Sequence, residues 1–184
     1  MRRAVFIDRD GVINRKFPEG QYVTSWEQME LLPGVPAALR ELRRAGFVIV
    51  VATNQSAVGR QKLTAEGLEA IHRRMLAELA REGAIIDAVY YCPHDGSFMC
   101  ECRKPRPGML LLAAKEHAID LSRSWMVGDA PSDIQAGQAA GCRTVWLAPR
   151  RHSSVRTAAP DLRAGSLTEA VTRILKFETG RPIT

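Results

Sequence analysis

The sequence predicts an α/β fold, a single domain in which a central parallel sheet is flanked by helices. Three observations predict it. Short apolar runs alternate along the chain with stretches of helical periodicity. The run Phe47-Val48-Ile49-Val50-Val51-Ala52-Thr53 is continuous and β-branched, the profile of a central parallel strand covered on both faces. The chain has 184 residues, 46% hydrophobic and 25% charged, which suits one well-filled core and an ordinary globular composition.

Each element has its own signal. Ala4-Val5-Phe6-Ile7 is a short apolar run ending in acids, a buried first strand, and residues 12–33 carry Pro18, Gly20 and Pro33 and read as irregular. Apolar positions from Val35 to Ala45 follow helical spacing from Pro36, and Gly46 ends them before the second strand at 47–53. Thr64 can cap a helix running to Glu82, with Leu68, Ile71, Met75, Leu76 and Leu79 on one stripe. Ile85 to Tyr91 reads as a third strand. A Cys-rich loop follows, then a helix from about Pro107 to Ala118, with proline at its start where the missing N–H does no harm. Trp125-Met126-Val127 is a fourth strand, Pro131 to Ala140 a helix, and Thr144 to Leu147 a fifth strand. Residues 149–165 read as a polar loop, Leu167 to Phe177 as an amphipathic helix, and about 178–184 as a flexible tail. No linker or repeat divides the chain.

Composition excludes several classes. No apolar run approaches the ~20 residues of a membrane span, and the first apolar run is too short for a signal peptide. A cytoplasmic, reducing setting and no membrane partner are therefore expected, with a monomer as the default. The net charge of +6 and a pI near 9.5 raise a nucleic-acid partner. The excess is scattered arginine, most of it in residues 143–184, which favours no nucleic acid and a small anionic substrate.

In parallel sheets ligands bind beyond the carboxyl ends of the strands. Those ends carry Asp8-Arg9-Asp10-Gly11, Thr53-Asn54-Gln55-Ser56, and Gly128-Asp129 with Asp133, while Lys104 precedes the helix after the third strand. The chemistry they fit is phosphoryl transfer through an aspartyl phosphate. Asp8 at the strand tip is the candidate nucleophile, and Asp10, two residues on, the candidate general acid and base. An anionic nucleophile meeting a phosphate needs countercharge. Mg²⁺, a hard cation with oxygen ligands, suits the Asp8 and Asp129 side chains and the main-chain carbonyl of Asp10. Lys104, the Thr53 hydroxyl and the Asn54 N–H would stabilise the phosphoryl oxygens. Asp133 is placed to orient water or Lys104 from outside the metal's ligand set.

Asp8-Arg9-Asp10-Gly11-Val12, Thr53-Asn54, Lys104 and Gly128-Asp129 with Asp133 resemble, in order, the four motifs of the haloacid dehalogenase-like phosphatases. The resemblance spans about residues 4–148 and implies a Rossmann-like sheet and Mg²⁺ dependence. The segment 54–84 holds little beyond one helix, so no separate cap domain is expected and the pocket should be open.

Cys92-Pro93-His94 and Cys100-Glu101-Cys102 give C-x-H-x5-C-x-C, three thiolates and an imidazole suited to a structural, tetrahedral Zn²⁺ in a zinc-binding loop insertion at 92–102. Cys142 reads as core, and His72, His117 and His152 as surface or structural residues. The zinc loop joined to Arg103-Lys104-Pro105-Arg106-Pro107-Gly108-Met109-Leu110, with Thr53-Asn54-Gln55-Ser56, resembles the D-glycero-D-manno-heptose 1,7-bisphosphate 7-phosphatases. These are cytoplasmic enzymes of lipopolysaccharide-core heptose synthesis. The resemblance implies a sugar bisphosphate substrate contacted by Asp8, Arg9, Asp10, a loop at Glu19, Gly20, Gln21 and Tyr22, the stretch Thr53, Asn54, Gln55 and Ser56, and Arg103 with Lys104. Two departures stand out. Ala130 follows the fourth-motif Asp where many members have Lys, and the five-residue zinc spacer matches the related histidinol-phosphate phosphatases. Histidinol phosphate is therefore an alternative substrate, and a zinc-stabilised nucleic-acid-binding module the alternative of another class.

Overall fold

In a computed structural model, described for residues 1–97, 99–147 and 159–180, the chain forms one α/β domain around a six-stranded, all-parallel sheet. In chain order the elements are β1 (Ala4–Ile7), α1 (Val35–Arg44), β2 (Val48–Asn54), α2 (Ser56–Gly59), α3 (Ala65–Arg81), β3 (Ala88–Cys92), α4 (Gly108–His117), β4 (Trp125–Gly128), α5 (Pro131–Ala139), β5 (Arg143–Leu147), β6 (Leu162–Ala164) and α6 (Leu167–Glu178). The strands lie in the order β3-β2-β1-β4-β5-β6. The chain thus builds outward from β1 to β3, crosses back, and builds outward again from β4. Asp8 lies just past the end of β1, beside the carboxyl end of β4, at the point where the order reverses and where such sheets form their binding crevice.

Period-two alternation sorts the strand side chains between two cores. Val5, Ile7, Ile49, Val51 and Val127 face a layer made by α1, α3 and α6, including Leu39, Leu42, Met75, Leu79 and Ile174. Ala4, Phe6, Val48, Val50, Ala52 and Met126 face the other way, toward Met109, Leu110 and Ala113 of α4, and Cys142 is buried in this second core as expected.

Several boundaries differ from the sequence reading, each for a local reason. The third strand starts at Ala88 rather than Ile85, because Asp87 uses its carboxylate to accept from Ile49 N at 2.8 Å and turns the chain onto β2. Thr64 caps α3 as expected, accepting from Gly67 N at 3.0 Å. The four-residue α2 and three-residue β6 are too short to show periodicity, and β6 falls within the expected polar loop. The rest of that loop from 149 to 158, with His152, lies outside the described residues. Glu178 was expected in a flexible tail and belongs to α6 instead. That residue closes α6 and accepts from Arg3 Nη1 at 2.8 Å and Trp125 Nε1 at 3.1 Å, with Arg143 Nη1 3.6 Å away. Residues 181–184 lie outside the described residues. Among the described residues no helix is long and apolar enough to cross a membrane.

Glu178 therefore ties the last helix to the first and fourth strands. Glu178→Ala leaves a buried indole N–H and two arginines without their acceptor, and should lower unfolding stability by about 1–3 kcal/mol. Urea denaturation at pH 7 measures this, and an unchanged midpoint would refute the clamp.

Candidate active site

The strand ends bring together residues far apart in sequence. Asp8 N donates to Val127 O at 3.0 Å, so the β1–β4 ladder continues through Asp8 and sets its carboxylate beside Gly128-Asp129. Two glycines make the approach possible. Gly11 has φ +87, and a Cβ on it would collide with the Asp129 carboxylate, while a Cβ on Gly128 would collide with Asp133. One carboxylate oxygen from each of Asp8, Asp129 and Asp133 lies within 4.8 Å of the others.

Lys104 is 3% exposed, and its ammonium sits between two of these acids, 2.9 Å from Asp8 Oδ1 and 2.6 Å from Asp133 Oδ1. The same ammonium donates a hydrogen bond to Ala52 O at 2.8 Å. Asn54 fixes its backbone, accepting from Lys104 N and donating to Lys104 O, both at 3.1 Å. Burial alone would push the Lys104 ammonium down, but Asp133 and Asp8 outweigh it and hold it above its ordinary value. Burial dominates at Asp8 and, with Asp133 and Asp10 adding to it against Lys104, raises its carboxyl to about 6. Asp133 also accepts from Ala130 N at 2.9 Å, so both of its oxygens are engaged. Asp8 and Asp129 are thus the acids with oxygens free of this scaffold, and hard oxygen donors at this spacing suit a small divalent cation. Asp129 has its backbone carbonyl held by Trp146 Nε1 at 3.1 Å, and burial raises its carboxyl above the ordinary value against the opposing pull of Lys16.

Asp10 has the opposite environment. Arg9, only 1% exposed, donates to both oxygens of Asp10 from Nη2 at 3.0 Å. Asn14 Nδ2 and Gln55 Nε2 each donate to one oxygen at 2.9 Å. These donors outweigh burial and hold the Asp10 carboxyl below its ordinary value. Gln55 Nε2 also reaches Thr53 Oγ1 at 3.0 Å, so Thr53 lies beneath this cluster, buried.

A cavity of about 450 Å³ opens over these groups, lined by Asp8, Asp10, the loop at 16–23, residues 54–56, Arg60, Arg103 and Lys104. The expected loop at Glu19 to Tyr22 does form part of its wall, and Lys62 holds that loop by donating to Gly20 O at 3.2 Å and lying 5.1 Å over the Tyr22 ring. No separate cap stands between β2 and α3. The four proposed zinc ligands also converge. The Sγ atoms of Cys92, Cys100 and Cys102 are 3.2–3.6 Å apart, and His94 Nδ1 lies 3.4 Å from Cys102 Sγ and 3.6 Å from Cys92 Sγ. A tetrahedron with Zn–S bonds of ~2.3 Å has edges of ~3.8 Å, so the donor set fits the ion. Arg103 Nη1 donates to His94 O at 3.0 Å, which ties this loop to the cavity wall.

Three contributors escaped the sequence reading. Lys16 pairs with both oxygens of Asp129, at 2.7 and 3.0 Å, from a loop without periodicity. Arg60 lines the cavity just past the short α2. His72, expected at the surface or as a structural residue, is 5% exposed and meets Arg9 Nη1 through Nε2 at 3.1 Å. Its position four residues after Leu68 and three before Met75 on the apolar face of α3 was the available signal.

The family model for haloacid dehalogenase-like hydrolase matches residues 7–141. A D-glycero-beta-D-manno-heptose-1,7-bisphosphate 7-phosphatase of Rhodopseudomonas palustris is 44% identical over 147 residues, covering 76% of this chain and 80% of the relative. The D-glycero-alpha-D-manno-heptose-1,7-bisphosphate 7-phosphatase of Mycobacterium bovis is 40% identical over 163 residues, covering 85% of each. Among solved structures, D,D-heptose 1,7-bisphosphate phosphatase from B. bronchiseptica complexed with magnesium and phosphate superposes with a TM-score of 0.88 at 31% identity, over 95% of this chain and 99% of that one.

Burial, reinforced by the Arg9 charge, lowers the His72 imidazole from 6.5 to about 3. Above pH 6.5 the group is neutral folded and unfolded and costs nothing. Below it the unfolded chain takes up a proton that the folded one refuses, so stability falls with pH at up to about 1.4 kcal/mol per unit until pH nears 3. Unfolding measured from pH 7 to 4 should show a steeper acid loss for the wild type than for His72→Gln. Parallel curves would refute the burial of a neutral imidazole.

Proposed function

The chain belongs to the haloacid dehalogenase-like hydrolases and is a phosphatase, and from that premise we propose that it removes the 7-phosphate of D-glycero-D-manno-heptose 1,7-bisphosphate through a phosphoryl-Asp8 intermediate. The observation that carries the proposal is the convergence of Asp8, Asp10 and Lys104 beneath a cavity walled by cations, in a chain whose relatives bear that name. The step would serve lipopolysaccharide-core heptose synthesis, as the sequence resemblance implied.

The residues divide the work. The Asp8 carboxylate attacks phosphorus in line, forming an acyl phosphate as the bond from phosphorus to the sugar O7 breaks. Lys104 is already ion-paired with Asp8 and fixes its orientation while adding positive charge beside the transferring group. Thr53 Oγ1 accepts from Gln55, which leaves its own proton for a phosphate oxygen. Asp10 protonates the departing alkoxide and then takes a proton from the water that releases phosphate from Asp8. Its donor cluster keeps Asp10 ionised in the free protein, the form a base needs. The incoming phosphate dianion opposes that cluster, so Asp10 takes up a proton from solvent as the substrate binds and passes it to the departing alkoxide. Asp8, Asp129 and the Asp10 carbonyl would hold Mg²⁺, which would supply countercharge to the phosphoryl oxygens. Asp133 keeps Lys104 in place from outside that ligand set. A structural Zn²⁺ on Cys92, His94, Cys100 and Cys102 would hold the loop from which Arg103 reaches the distal phosphate, opposite the contacts made by Glu19 to Tyr22 and Asn54 to Ser56.

With Mg²⁺ present, kcat/KM for the heptose bisphosphate should exceed that for histidinol phosphate by at least about 100-fold, equivalent to about 2.7 kcal/mol. Asp8→Asn should reduce phosphate release to background. A preference for histidinol phosphate would reverse the substrate assignment, and an active Asp8→Asn would exclude the covalent route. Zinc should be present by elemental analysis at one per chain, and removing it should lower Tm and raise KM together. An unchanged melting curve after verified removal would defeat the structural assignment.

A further inference from the structure

Arg9 lines the cavity beside Asp10, and its Nη1 meets His72, which is not among the lining residues. A guanidinium has only N–H donors. With Arg9 Nη1 3.1 Å from His72 Nε2, that nitrogen must be the acceptor, so the imidazole carries its single proton on Nδ1. The other two guanidinium nitrogens, Nε and Nη2, are directed at Asp10, at 3.3 and 3.0 Å. Arg9 and His72 are 1% and 5% exposed, so water cannot replace either contact.

The chemistry of the acceptor matters in such a place. A buried guanidinium needs a partner for its inward N–H, because an unsatisfied donor there is costly. A carboxylate would satisfy it but would also compete with Asp10 for the charge. A leucine would satisfy nothing and leave the guanidinium free to rotate. An uncharged acceptor meets the hydrogen bond and leaves the full positive charge on Asp10. His72 comes from the buried face of α3, and its ring packs edge-on to Tyr91, with centroids 5.8 Å apart, at the end of β3 beside the first zinc-loop cysteine.

We propose that His72 is a positioning residue for catalysis: by accepting from Arg9 through Nε2 it fixes the guanidinium that holds the Asp10 carboxylate in the cavity. The inference rests on Asp10 acting as acid and base, and it extends that role to a residue that touches neither substrate nor metal.

Three variants separate positioning from packing, with steady-state kinetics on the heptose bisphosphate and Tm measured on each. His72→Gln offers a neutral amide oxygen and should keep kcat within about twofold. His72→Leu, without an acceptor, and His72→Glu, with an anionic one, should each lower kcat at least about tenfold while KM changes less than twofold. The fall for His72→Glu should come without a matching loss of Tm, since the new carboxylate pairs with Arg9. Wild-type kcat in His72→Glu, or kcat losses in all three variants that track their Tm losses, would overturn the proposal. A readout independent of activity is the ¹⁵N spectrum of the His72 ring at pH 7. It should show a protonated Nδ1 and a bare Nε2, and a proton on Nε2 would overturn the proposal. Turnover by Asp8→Asn would instead sink the covalent mechanism, an outcome recorded on a different variant from any that tests His72.

Discussion

A buried ammonium shared by two buried carboxylates organises this molecule's working end. Lys104 alone would be expensive to desolvate, and so would Asp8 and Asp133. Together, with Ala52 O accepting from the same ammonium, they place one positive charge against two negative ones, and the arrangement holds only if β1, β2, α5 and the segment after the Cys/His cluster all arrive at one point. The sheet order supplies that condition by setting β1 beside β4 and β2, so that the strand ends meet at the reversal of topology.

The two acids of the first strand end illustrate how environment assigns roles. Asp8 and Asp10 are two residues apart, yet burial with an excess of nearby negative charge raises the first, while a guanidinium and two amides lower the second. The tripeptide Asp8-Arg9-Asp10 itself supplies only the Arg9 guanidinium. The burial of Asp8, the Asp133 charge and the Asn14 and Gln55 amides come from outside it. The Cys/His loop contributes in a similar indirect way, because Arg103 leans on His94 O and Asn54 clamps the Lys104 backbone from the end of β2.

The sheet and the strand-end residues were legible because apolar runs that stop abruptly at Asp, Thr-Asn or Gly-Asp carry both signals at once: where the strand ends and what stands there. The convergence of Cys92, His94, Cys100 and Cys102 was legible from residue type and spacing. Lys16 and Arg60 were not, since both stand on irregular segments where no period fixes direction. His72 was half legible: its spacing marks the buried face of α3, but nothing in the sequence says that Arg9 lies opposite. Strand β6 carries too few residues to stand out, and the tail was misjudged because the role of Glu178 depends on partners at positions 3, 125 and 143.

The way Lys104 is held also makes it chemically inert. An amine reacts with acylating or alkylating agents only when it sheds its proton and meets the reagent, and this one keeps its proton tightly and is 3% exposed. Lys16 also has its proton held, by Asp129, but its side chain is 50% exposed and meets the reagent from solvent. A lysine-modifying reagent therefore marks the rim of the cavity long before its floor, and blunting such an enzyme by amine modification would report on substrate entry rather than on the bond-breaking centre.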